Sequence, residues 1–211
     1  MIKKVFATAV LAALTMSAQA AVVINEGFDN VPGLASSGWV FTSAGTPGGT
    51  TTGWFQGSTG IFDAQSGAPY SYAAANFNNA PAGGTIDSWL YTPTFDASLG
   101  ATVSFYLRAD AAEGFSDQVN FGFINADGSF TSASLSTVNP VPVSGWTQYS
   151  AWIGPDALGS TRFAFQYTGA ADTSNYVGLD SLVVDVPEPA SLALIAGGLL
   201  GLGAMRRRSR G

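Results

Sequence analysis

The sequence predicts an all-β protein, an antiparallel β-sandwich of the jelly-roll kind, with a signal helix before it and an apolar helix after it. Three observations lead there. First, Val103, Phe105 and Leu107 alternate with Ser104, Tyr106 and Arg108, Val119, Phe121 and Phe123 alternate with Asn120 and Gly122, and Phe163, Phe165 and Tyr167 alternate with Ala164 and Gln166. A period of two sends alternate side chains to opposite faces of a strand, so each run has one face to bury. Second, clusters of Gly, Pro, Ser, Thr and Asn, notably 44–52 and 79–84, interrupt the chain at short intervals and read as turns. Third, no segment between residues 21 and 185 keeps a helical period over three turns.

The remaining strands follow from shorter apolar runs. They are expected at 22–28, 39–42, 53–56, 72–77, 88–92, 146–153 and 176–184, which makes about ten short strands, the pattern of a sandwich. Asp127-Gly128 marks a hairpin turn because that pair favours the tight two-residue connection. The Gly- and Thr-rich stretch at 45–53 reads as a long loop. No internal repeat appears, and residues 21–185 fit one domain with a sizeable core.

The ends differ from the middle. Lys3 and Lys4 precede an apolar run to Met16, and Ala18-Gln19-Ala20 supplies small residues at the positions a signal peptidase reads. This is the form of a secretory signal over 1–20, cleaved after Ala20 by signal peptidase. At the other end, residues 190–205 carry no charge and Arg206, Arg207, Arg208 and Arg210 follow. As a helix the apolar stretch reaches about 24 Å, marginal against a hydrocarbon core of about 30 Å. The arginines orient it with the bulk of the chain outside the cytoplasm. Pro187-Glu188-Pro189, the apolar stretch and the terminal arginines, in that order, resemble the PEP-CTERM sorting signal of Gram-negative bacteria. The resemblance covers 186–211 and implies processing by an exosortase-type membrane transpeptidase. It also implies transient anchoring in the inner membrane before the cell surface or extracellular space.

Between the signals only Arg108 and Arg162 are basic, against thirteen acidic residues, a formal net charge of −11. Nucleic acid and anionic lipid both call for clustered Lys and Arg, so neither is expected as a partner. The chain has no Cys and no His, and its only lysines lie in the signal. A Ser-His-Asp or Cys-His site, a Ser-Lys dyad and a His-based zinc site are therefore all excluded. Among common hydrolytic designs only a carboxylate pair survives. An exported domain without disulfides is held by its core, with a metal as the one available staple.

Three local patterns run the length of the domain: Glu26-Gly27-Phe28-Asp29, then Asp87-Ser88-Trp89-Leu90-Tyr91-Thr92-Pro93, then Leu179-Asp180-Ser181-Leu182. In this order they resemble the choice-of-anchor J and cleaved-adhesin domains of bacterial surface proteins. The resemblance implies a jelly roll with an adhesive role. Related domains often carry a second Asp two residues before the Asp180 position, where this chain has Gly178.

First and last strands of a jelly roll commonly lie close together. Glu26 and Asp180 are therefore the best candidates to share a structural Ca²⁺, with Asp29 or Asp87 as an addition, since Ca²⁺ takes six to eight oxygens. For sugar, Trp54 and Tyr70 are the candidate stacking rings because their flanks read as loops. The expected function is a non-catalytic exported surface or extracellular-matrix protein. The alternatives are a carbohydrate-binding module for extracellular polysaccharide, and a carboxylate-based glycosidase.

Overall fold

The computed structural model describes residues 20–51, 53–127 and 135–188. Among them the chain forms twelve strands: β1 (Ala20–Glu26), β2 (Val40–Ser43), β3 (Phe55–Gln56), β4 (Ala73–Asn76), β5 (Thr85–Tyr91), β6 (Phe95–Asp96), β7 (Ala101–Ala109), β8 (Gln118–Asn125), β9 (Ser136–Val138), β10 (Thr147–Ile153), β11 (Ser160–Ala170) and β12 (Tyr176–Pro187). Short 3-10 turns at Val31–Ser37, Phe77–Asn79 and Ala171–Thr173 are the helical elements among them. All ten expected strands are present. The two that sequence missed, β6 and β9, are two and three residues long, too short to show a period. Residues 1–19, Gly128, Pro189 and the apolar stretch with its arginines lie outside the described residues.

The strands make two antiparallel six-stranded sheets. One runs β10-β7-β12-β4-β3, with β1 also on β12, and the other runs β2-β5-β11-β8-β9, with β6 also on β11. Together they form a jelly-roll sandwich. Alternation builds the core as expected: Val103, Phe105 and Leu107 of β7 are buried, as are Val119, Phe121 and Phe123 of β8 and Phe163, Phe165 and Tyr167 of β11. The ring of Phe105 meets Phe121 at 4.9 Å and Phe165 at 4.8 Å between centroids, both edge-on. That geometry suits the ring quadrupoles and joins one sheet to the other.

β12 is the central strand of the first sheet and it changes phase midway. Val177 and Leu179 are buried, and strict alternation then calls for residue 181. A bulge between Asp180 and Val183 in the pairing with β7, with Ser181 at φ 52°, shifts the parity. Leu182 and Val184 are buried instead. A bulge adds one unpaired residue and re-aims side chains. On one flank β12 pairs with β7. On the other it pairs first with β4, over Tyr176 to Leu179, and then with β1, over Leu182 to Pro187. The expected closeness of first and last strands is thus direct pairing.

A second, smaller core covers the outer face of this sheet. The loop from Gly57 to Tyr72 folds back so that Phe62, Tyr72, Ala74 and Tyr176 cluster with Trp146 against them. Phe62 stacks on Tyr72 at 5.1 Å and meets Trp146 edge-on at 5.5 Å. The Arg108 guanidinium lies 4.5 Å from the Phe62 ring centre, a cation–π contact.

Candidate functional site

The bulge in β12 positions Asp180. Its side chain is fully buried. One carboxylate oxygen accepts the backbone N–H of Gln65 (2.8 Å) and of Ser66 (3.1 Å), and the other accepts that of Ser181 (2.5 Å). The Ser181 hydroxyl donates to the Gln65 side-chain oxygen at 2.7 Å. Burial raises the carboxyl to about 6 against the lowering effect of these N–H groups. Asp180 therefore anchors the 57–72 loop to the centre of the sheet.

Asp29 holds the other end of the same loop, accepting the Ser71 hydroxyl at 2.5 Å. Gly67, at φ +83°, lies between: a Cβ there would stand 3.2 Å from the Ser71 Cβ and 3.4 Å from the Asp29 carboxylate. Glu26 closes the end of β1, accepting the Phe28 N–H at 2.7 Å where Phe28 takes φ 54°. Burial pushes the Glu26 carboxyl up, the Phe28 N–H opposes this, and the nearby Asp29 charge pushes it up further.

Two of the four expected metal carboxylates, Asp180 and Asp29, thus border one loop, and Glu26 stands near Asp29. The fourth does not. Asp87 stands on β5 of the opposite sheet, accepting Trp89 Nε1 (2.6 Å) and Gln166 Nε2 (2.8 Å). Among the described residues no three acidic side chains come together as a cage for a cation. Both Asp180 oxygens are engaged by the N–H groups of Gln65, Ser66 and Ser181. Asp87 stands apart from the other three carboxylates. Glu26 and Asp29 remain as like charges close enough to raise a carboxyl, the circumstance a hard cation relieves.

Gly178 has a separate explanation. A Cβ there would stand 2.7 Å from Trp146, 2.9 Å from Phe62 and 3.0 Å from Tyr72. Three rings converge on the bare Cα, so an Asp at this place is sterically excluded.

The two expected sugar-stacking rings separate. Trp54 is 4% exposed and its indole N–H donates to the Ser88 carbonyl at 3.2 Å. Gly53, at φ +94°, precedes it. The Gly-rich loop thus carries Trp54 into the core, and it offers no open face. Tyr70 is 49% exposed. Its carbonyl accepts Gln56 Nε2 at 2.8 Å, and the same amide group donates to the Phe28 carbonyl (2.8 Å) while its oxygen accepts the Val31 N–H (2.9 Å). Gln56 is a connecting residue that sequence reasoning passed over, because a lone Gln in a two-residue strand carries no pattern.

Of the sorting motif, Pro187 is the last residue of β12, paired with Ala20, and Glu188 follows it exposed. Pro189, Arg206, Arg207, Arg208 and Arg210 lie outside the described residues. No helix among the described residues is long and apolar enough to cross a membrane.

Comparison with known proteins supports both halves of this picture. Residues 185–208 match the PEP-CTERM protein-sorting motif. The chain carries that signal, which implies export with a membrane-anchored C-terminal sorting segment and processing by an exosortase-type system. The domain has the fold of the cleaved adhesin domains of Lys-gingipain from Porphyromonas gingivalis. The K1 domain superposes with a TM-score of 0.55 at 20% identity, over 77% of this chain and 97% of that one. The K3 domain gives 0.54 at 19%, over 78% and 99%. No curated protein sequence matches the chain.

Proposed function

We propose that this is a non-catalytic surface or extracellular-matrix protein with an adhesive or structural role, placed through exosortase-type processing of its tail. The observation that carries the reading is the position of the sorting motif. It begins at Asp185, and Asp185, Val186 and Pro187 are still strand in β12. The folded domain is therefore the cargo, joined to its signal without a linker. The buried carboxylates Asp117 and Asp180 serve as acceptors for backbone N–H groups, a structural use. In this proposal Ca²⁺ is a structural ion at Glu26 and Asp29 only.

The test is localisation. Protease accessibility on intact cells and fractionation should find the parent chain outside the inner membrane. With Pro187, Glu188 and Pro189 all changed to Ala it should accumulate in the inner membrane. Equal distribution of parent and variant would overturn the proposal.

A further inference from the structure

β12 gives the domain a polarity. The chain leaves for the sorting segment at Pro187, and the opposite end of this 12-residue strand, Tyr176, lies roughly 35–40 Å away at about 3.3 Å per residue. At that far pole two grooves adjoin, of about 430 and 300 Å³, and Phe77 and Asn175 line both. The first runs between Phe77 and Phe115, beside Asn78 and Asp172. The second continues past Asn76 and Asp110. Phe77 is 43% exposed and Phe115 47%.

The pole is held by its backbone. The Phe77 N–H donates to the Asn175 carbonyl (3.0 Å), and the Ser116 N–H to that of Thr173 (2.8 Å). Both Asp172 oxygens accept the Gly83 N–H at 3.0 Å. Beneath it the buried Asp117 accepts the Tyr167 hydroxyl (2.7 Å) and the Asn175 N–H (2.8 Å). Two exposed rings on a fixed frame, with amides and carboxylates between them, suit a ligand with an apolar face and a hydroxyl edge. A sugar ring has both. No Lys or Arg lines either groove and the domain carries a formal charge of −11, so a polyanion is repelled.

We infer that these joined grooves bind a neutral polysaccharide chain, with Phe77 and Phe115 against sugar faces and Asn78, Asn175 and Asp172 on hydroxyls. The inference rests on the surface-protein reading for one point, that the end of the domain at Tyr176 is exposed to the cell exterior.

Native affinity electrophoresis of the full chain in mild detergent, through gels carrying laminarin, galactan, arabinoxylan or alginate, tests it. At least one neutral polymer should retard the chain, and alginate should not. Phe77→Ala and Phe115→Ala should each weaken retardation by about fivefold or more, the worth of one stacked ring, with unchanged melting. Trp152→Ala, removing a ring 71% exposed elsewhere, should bind like the parent. Retardation by none of the neutral polymers, equal retardation by alginate, or parental binding by both Phe variants would overturn the inference. So would self-association of the parent that Phe77→Ala abolishes, which would make a second copy the occupant. Protease accessibility on cells tests the surface reading separately, because electrophoresis does not depend on location.

Discussion

Trp146 packs edge-down onto the bare Cα of Gly178, close enough that a Cβ would stand 2.7 Å from its ring. The indole N–H also donates to the Asp63 carbonyl at 2.9 Å, so the ring is fixed between the sheet and the loop that covers it. Gly178→Ala should therefore destabilise the domain by about 1–3 kcal/mol, the usual cost of overpacking. For a domain of this size that lowers the melting midpoint by roughly 2–10 °C. In the Trp146→Ala background the same change should cost less, because the nearest obstruction is gone. Thermal melts of the four proteins in the cycle measure the coupling, and purely additive effects would refute the contact.

Asp180 should give the domain a stability that rises on mild acidification. Its carboxyl titrates near 6 when folded, against an ordinary value of 3.8. Between those values the folded state holds the proton more firmly, so stability falls as pH rises from about 4 through 6 and then levels. Glu26 and Asp117 are raised as well and act in the same direction. The midpoint at pH 5 should exceed that at pH 7.5. Asp180→Asn should lower the whole curve, because one carboxylate oxygen becomes an amide that cannot accept an N–H, and should flatten its slope. A parent midpoint that climbs steadily from pH 5 to 7.5 would contradict this.

Calcium should raise the midpoint relative to EDTA, by an amount equivalent to about 2.7 kcal/mol at a hundred times the dissociation constant. Glu26→Gln should abolish most of the shift by removing one of two neighbouring charges. Asp87→Asn should leave it intact, since Asp87 stands in the opposite sheet. Identical melts of the parent in Ca²⁺ and EDTA would dispose of the ion.

The fold was legible because its strands are long enough to show their period. β7, β8 and β11 span nine, eight and eleven residues, and each alternates through most of its length. What stayed hidden depends on the third dimension. The Gly-Thr run before Trp54 looks the same whether the ring turns outward or, as here, inward to the Ser88 carbonyl. Asp87 shares a motif style with Glu26 and Asp180, yet its sheet is decided by which strands pair. The rings at the far pole went unnoticed because Phe77 sits among Asn76, Asn78 and Asn79 at the end of a strand, where an apolar residue is ordinarily assigned to the core. An aromatic flanked by amides was the available signal. The fragment that was plain in sequence, the sorting tail, needs no tertiary context to be read.

The central position of β12 bears on when the domain can fold during export. Among the described residues it is the last strand in the chain, and it separates β7 from both β4 and β1. Until Tyr176 to Pro187 is in place, the strands on its two sides lack their common neighbour and the first sheet cannot close. Because the sorting motif starts within that same strand, the residues that close the first sheet are also the first residues of the sorting signal.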